Sequence, residues 1–293
     1  MSTERHNVNT VSIVIPTFNR EAILPEVLPT YLRQEHVLEV IIVNDGSSDN
    51  TAQRMAQWQH EDNRIVCIHH PQRCGQQRAK NSGVARARGE LIFFGEDDVL
   101  LEDTTLDVLL ACMTEQGADI VGCRTMYMHQ GETAQDTMQR YNNLSDPVFD
   151  PASFSVNFGC RSETALQVPF LQAIVLIKKE IFSRITFDER YWGSAFREET
   201  DFFVRCAQAG YKLLYCPDAR AFNLPRPPGG AHARPPWIYE LSAILNNWRF
   251  LRTHYHYLHE AWGLRIPRLT LQMQFTRERL GILFSKLNVP GRT

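Results

Sequence analysis

The chain has 293 residues, a formal net charge of −2, and hydrophobic and charged fractions of 43% and 22%. This is the balance of a globular protein with a sizeable core, and it offers no general attraction to nucleic acid. No run of about 18 apolar residues occurs and the opening MSTERHNVNT is polar, so no membrane span or secretion signal is expected and a cytoplasmic protein is predicted.

In chain order, VSIVIP (Val11 to Pro16) is a β-branched run and predicts a strand buried on both faces. A helical pattern follows from about Glu21 to Gln34. VLEVIIVND (Val37 to Asp45) is the next strand, and Asp49 is placed to cap a helix running to about Gln59. Further strands are expected at Arg64 to His70, Glu90 to Gly95 and Ala118 to Cys123, with helices at Gln76 to Arg86 and Leu106 to Glu115. Strands separated by helices of this length imply right-handed crossovers and a mostly parallel sheet, with ligands beyond the carboxyl ends of its strands.

Met126 to Pro169 reads as irregular and substrate-facing. Regular structure resumes around Phe170 to Ile185, with a helix from about Thr200 to Ala209 and a strand at Tyr211 to Cys216. A Pro/Gly-rich loop runs from Leu224 to Pro236, followed by a helix from about Trp237 to His254 and an amphipathic, basic helical tail from Leu264 to Leu287. The seven cysteines are odd in number and form no C-x-x-C pair, so neither a disulfide framework nor a zinc site is expected.

Polar residues gather at the predicted strand ends. Asn44, Asp45 and Gly46 follow a buried strand and offer a carboxylate to a base or ribose; the same triplet is also turn chemistry. Glu96, Asp97 and Asp98 close another strand. Glu96 and Asp98 face the same way on an extended chain, and their mutual repulsion calls for a cation such as Mg²⁺ or Mn²⁺. Glu198, Glu199 and Asp201 open a helix, where one could act as general base; acids there also suit the helix dipole, and Asp201 with Arg205 is an i,i+4 ion pair. Arg78 and Lys80 are phosphate contacts or a solvated helix face, and Arg73 is freer to reach a ligand. His232, beside Gly229 and Gly230, is a metal ligand or a lone surface histidine.

The order SIVIPTFNR, VNDGSSDNT, GQQRAKNSGVARARGELIFFGEDD and EETDFFVRCAQAGYK, over about Val11 to Cys216, resembles glycosyltransferase family 2, the inverting group with the GT-A fold. The resemblance implies an α/β fold with a Rossmann-like, mostly parallel central sheet and a helical C-terminal extension. It implies a catalytic domain over 1–236, with a nucleotide-binding half at about 10–125 and an acceptor half at about 126–236, and an extension over 237–293. Pro16, Thr17 and Asn19 would line the nucleotide pocket, Asp45 and Arg73 would meet the base, and Lys80 and Asn81 would stand on the helix before the metal motif. Asp97, Asp98 and Glu96 match that motif, with Asp98 the direct Mg²⁺ or Mn²⁺ contact. In EET the expected base is Glu199, where the family usually has Asp, which keeps Glu198 as an alternative. Many relatives carry a metal-binding His where this chain has Asn223, so His232 or Asn223 would complete the site.

The implied reaction moves a sugar from a nucleoside-diphosphate donor, expected to be UDP-linked, to a hydroxyl on a glycan, lipid-linked or small-molecule acceptor. The alternatives are a non-catalytic sugar-nucleotide or glycan-binding protein of this fold and, lower, a sugar-phosphate nucleotidyltransferase, whose Gly-rich phosphate loop is replaced here by PTFNRE. No nucleic-acid partner is expected. Tyr191, Trp192 and Phe196 are set either against the acceptor sugar or in the core. The basic tail is set either on a membrane surface or against the domain or a second subunit, which would make a homodimer.

Overall fold

A computed structural model describes residues 10–143, 147–225 and 234–287. Val11–Thr17 forms strand β1, joined in parallel by β2 (Val37–Asn44), β3 (Ile65–His69) and β4 (Leu91–Phe94) in the order β3-β2-β1-β4. Side chains alternate between two cores. Val14, Ile41 and Val43 enter one, and Ile13, Ile15, Val40 and Ile42 enter the other. Burial on both faces is why these strands read as continuous apolar runs.

The crossovers are α1 (Leu24–Leu32), α2 (Thr51–Glu61) and α3 (Gln76–Arg86). The first two crossovers carry the chain from β1 outward to β3, and α3 brings it back to β4 on the other side of β1. The strand order therefore reverses between β1 and β4, where a crevice opens beyond their carboxyl ends.

The second half adds β5 (Val99–Leu101), α4 (Thr105–Gln116), β6 (Ile120–Tyr127) and α5 (Ala134–Asn142). A two-residue hairpin, β7 (Phe149–Asp150) and β8 (Ser155–Val156), precedes β9 (Leu166–Gln167) and β10 (Val175–Lys178). Helix α6 (Glu198–Gln208), β11 (Leu213–Asn223), α7 (Pro236–Trp262) and α8 (Arg268–Leu287) complete the described chain.

The expected mostly parallel sheet is present, with antiparallel insertions that local pattern does not predict. β10 lies between β4 and β6 and runs against both, and β5 runs against β11. The stretch read as irregular contains α5, whose start is a reciprocal cap between Thr133 and Asp136. Helix α1 begins at Leu24, later than periodicity implied, with Pro25 in its first turn. Asp49 lies one residue before the N-cap of α2, yet its carboxylate still accepts from the Thr51 amide at 3.0 Å.

The C-terminal helices are built into the main body. Phe250, Leu251 and Leu258 of α7 are fully buried in the first core, and α8 packs on α7, with its Leu271 and Leu283 buried. Leu269, Met273 and Phe284 of α8 remain exposed. No helix among the described residues is long and apolar enough to cross a membrane.

Candidate active site

The crevice at the reversal point holds a cavity of about 470 Å³ whose wall includes Pro16 and Thr17 from the end of β1, Asp45 after β2, Glu96 to Asp98 after β4, and Asn223 at the end of β11. The strand ends are laced together, because the Asp45 amide donates to the Thr17 carbonyl at 2.9 Å. The Asp45 carboxylate accepts from the amides of Cys74 and Gly75, each at 2.8 Å, and sits 2.9 Å from His70 Nδ1. It therefore clamps the loop before α3 to the end of β2. Gly46 makes this possible: its φ is +73°, and a Cβ there would lie 2.5 Å from the Gln72 backbone. In the clamped loop the Arg73 guanidinium lies 4.1 Å above the Phe18 ring, a stacked cation that can meet a base or phosphate.

The acidic turn is fixed through its backbone. Tyr31 Oη donates to the Glu96 carbonyl and accepts from the Glu96 amide, both at 3.1 Å. Gly95 permits that approach, since a Cβ would fall 2.6 Å from the tyrosine ring. Arg20, a residue that sequence reasoning did not single out, is buried beneath the turn. Its Nε donates to Asp97 at 3.0 Å and its terminal nitrogen to Asp98 at 3.2 Å. Burial pushes the Asp97 carboxyl up to about 6 against the pull of Arg20. Burial, then the charges of Asp98 and Glu199, push Glu96 well above the ordinary range.

Behind this turn lies a second charged cluster. Lys80 is 1% exposed, and its Nζ donates to Glu198 Oε1 at 2.8 Å and also to Glu199 Oε1. Burial alone would lower the lysine's pKa, but the two carboxylates outweigh it and hold the ammonium charged. Burial pushes Glu198 up to about 7, with Lys80 opposing and Glu199 adding to the rise. The Glu198 Oε2 atom is buried without a partner among the described residues. Glu199 is the more open of the two, with its side chain 22% exposed, and accepts from Gln76 Nε2 at 3.3 Å.

The structure brings Pro16, Thr17, Asp45, Arg73, Glu96, Asp97 and Asp98 to one cavity. Asn19 does not line it. That residue adopts φ +54° and bonds the Ser47–Ser48 turn, its Oδ1 accepting from the Ser48 amide at 2.8 Å. Lys80 is not on a solvated helix face: it is buried, lies off the cavity wall, and pairs with the EET acids. Glu198 and Glu199 stand behind Gln76, which does line the cavity. His232 lies outside the described residues. Phe196 stacks on Phe275 at 4.8 Å and packs, whereas Tyr191, though buried, lines the cavity wall and Trp192 is half exposed at its rim.

The donor set at the acidic turn fits a hard divalent cation. Asp97 and Asp98 bring two carboxylates to one wall of the cavity, bridged by the single charge of Arg20. Asn223, 8% exposed on the same wall, has a buried Oδ1 with no partner among the described residues. All-oxygen donors suit Mg²⁺ or Mn²⁺. A second grouping, Asp45 with His70 and Cys74, suits a metal poorly, because both ring nitrogens of His70 are engaged, by Asp45 and by Ser82 at 3.0 Å.

Comparison with known proteins agrees with this geometry. The family model described as Glycosyl transferase family 2 matches residues 12–175. The chain is 31% identical over 112 residues to the glycosyltransferase GlyG of Streptococcus pneumoniae, covering 38% of this chain and 37% of that protein. It is 24% identical over 216 residues to the GalNAc(5)-diNAcBac-PP-undecaprenol beta-1,3-glucosyltransferase of Campylobacter jejuni, covering 70% of this chain and 65% of the relative. These matches span about a third to two thirds of the relatives' lengths. Among solved structures, GalNAc-T7 with UDP, GalNAc and Mn²⁺ superposes with a TM-score of 0.64 at 15% identity, covering 94% of this chain and 55% of that one. S. aureus TarS with UDP-GlcNAc gives 0.58 at 17% identity, covering 94% and 81%. At these identities the structures show a common fold.

Proposed function

The chain belongs to glycosyltransferase family 2 and has the GT-A fold, and from that premise we propose that it transfers a sugar, with inversion, from a nucleoside-diphosphate sugar to an acceptor hydroxyl. The observation that carries this reading is the acidic turn Glu96–Asp98 facing Asp45 and Arg73 across one cavity of about 470 Å³, a volume suited to a small ligand such as a nucleotide sugar. UDP is the expected nucleotide. Glycan and lipid-linked acceptors are the classes suggested by relatives whose names specify undecaprenyl-linked substrates.

Asp98, with Asp97 and Asn223, would hold Mg²⁺ or Mn²⁺, and such an ion offsets charge developing on a departing diphosphate. Arg20 keeps the two aspartates at a fixed separation. Arg73 and Phe18 hold the nucleotide against Asp45. Glu199 takes the acceptor proton, because Glu198 is more deeply buried and its carboxyl is shifted toward the neutral form. Lys80 orients both acids. The extension at 237–293 acts as a buttress of the catalytic body at 1–236.

The test is thermal melting with UDP, GDP and dTDP, each with and without Mn²⁺. A metal-dependent rise for one nucleotide that disappears in Asp98→Ala is expected. One observation favours a second reading, a binding protein without turnover: Gln76 and Lys80 both occupy Glu199 Oε1. A nucleotide-induced shift without product from any donor would select it, and no shift for any nucleotide would overturn the donor site itself.

A further inference from the structure

Next to the donor cavity lies a larger one of about 940 Å³, between the loop that carries Asp188 to Trp192 and the outer face of α7. The two cavities share Glu189 and Trp192 in their walls, so a ligand in one reaches the rim of the other. The shared loop is held firmly. Asn81 bonds Phe187 through both its amide and its carbonyl at 3.0 Å, and Asn246 Nδ2 donates to the Trp192 carbonyl at 2.9 Å.

The charges lining this groove do not cancel. Each carboxylate is already engaged: Asp188 by Arg190 at 2.8 Å, Glu189 by Arg78 at 3.0 Å, and Asp201 by Arg205 at 2.7 Å and by His254 at 2.8 Å. Arg249 and Arg252 remain. They lie three residues apart on α7 and both line the groove, and among the described residues neither has a carboxylate within ion-pair distance; Arg249 lies over the Tyr191 ring at 5.8 Å and its charge adds to that of Arg190 in holding Asp188 low, from beyond ion-pair range. Two guanidiniums one turn apart present planar donor forks suited to phosphate or carboxylate. The half-exposed Trp192 stands between them and the donor cavity and offers an apolar face to a sugar ring.

We propose that this groove is the acceptor site and selects an anionic glycan, a sugar chain bearing phosphate or carboxylate groups that Arg249 and Arg252 bind while Trp192 seats the sugar nearest the donor. This deepens the transferase reading by naming the acceptor class, and it rests on that reading for the word acceptor. The groove is concave and joined to the donor cavity, which favours a chain lying along it over a flat lipid surface.

The experiment measures, by calorimetry on the full chain saturated with UDP and Mn²⁺, the binding of hyaluronan and phosphomannan oligosaccharides against their neutral counterparts, chito- and manno-oligosaccharides. Anionic chains are expected to bind about tenfold or more tightly, with the preference fading near 1 M salt, where the screening length is about 3 Å. Joint replacement Arg249→Glu and Arg252→Glu should abolish the preference, and joint replacement Arg249→Lys and Arg252→Lys should retain part of it. Both residues are at least partly exposed, and an unchanged melting shift with UDP and Mn²⁺ verifies that each variant is folded. Equal affinity for neutral and anionic chains, or an unchanged preference in the glutamate variant, overturns the proposal. Arginine-dependent pelleting with anionic phospholipid vesicles, without glycan binding, also overturns it. Failure of nucleotide binding with the arginine-dependent glycan preference intact would sink the transferase reading and leave the anionic-glycan groove standing.

Discussion

Arg20 shows how one side chain can decide the chemistry of a site. Its guanidinium is 5% exposed and spans Asp97 and Asp98, so removing it takes a buried positive charge from between two carboxylates. Arg20→Ala should cost about 3 kcal/mol of stability, read as a lowered midpoint in denaturant. Mn²⁺ should then raise the melting temperature of the variant more than that of the wild type, because a cation would replace the missing charge. Equal Mn²⁺ shifts in the two proteins would show that Arg20 and the metal do not share these carboxylates. Nothing local in PTFNRE marks this arginine, since its partners lie 77 and 78 residues away. Asn223 was visible only as a departure from the usual histidine, and its unpartnered Oδ1 on the cavity wall gives that departure a physical meaning.

At the scale of elements, Asp201 ties three pieces of chain together. Its Oδ1 accepts from Tyr191 Oη at 3.1 Å and lies 2.8 Å from His254 Nε2 on α7, and its Oδ2 accepts from Arg205 at 2.7 Å within α6. Burial would raise the Asp201 pKa, but His254 and Arg205 outweigh it and hold the carboxyl below its ordinary value. A carboxyl depressed on folding adds stability above its unfolded pKa and loses it as pH falls through the folded one. Asp201→Asn should therefore cost about 3 kcal/mol near neutral pH. The gap to wild type should close as pH falls below about 4, as read from denaturant titrations across that range. A gap independent of pH would mean that packing, not charge, joins α6 to α7. The i,i+4 pair with Arg205 was legible in sequence; the link to His254 was not, because it crosses 53 residues.

For the whole molecule, the question is what the C-terminal helices contribute. Helix α7 enters the main core, whereas α8 touches the body mainly through α7, with Leu271 and Leu283 buried and Lys286 donating to Glu240 at 2.9 Å. A chain ended after Pro267 should keep its metal-dependent nucleotide shift while losing about 3–6 kcal/mol, from two buried leucines at about 1.5–3 kcal/mol each. Loss of nucleotide binding along with stability would mean that α8 shapes the donor cavity through α7. Length, charge and strand–helix alternation were enough to read this architecture, because parallel strands covered on both faces announce themselves as apolar runs.

The sequence by itself determined the α/β class, the four parallel strands β1 to β4 and the position of each acidic motif at a strand end or helix start. Those are local consequences of periodicity and of where polar residues interrupt it. Only the tertiary structure decided which motif residues face the cavity. It paired Lys80 with Glu198 and Glu199, gave Asn19 to a turn, and split Tyr191, Trp192 and Phe196 between the cavity wall, its rim and packing. It also placed β5 and β10 antiparallel within the sheet and joined a second groove to the first. The reason is physical: pattern along a chain encodes which residues are buried, whereas charge pairing and cavity lining depend on partners many residues away whose approach the pattern does not specify.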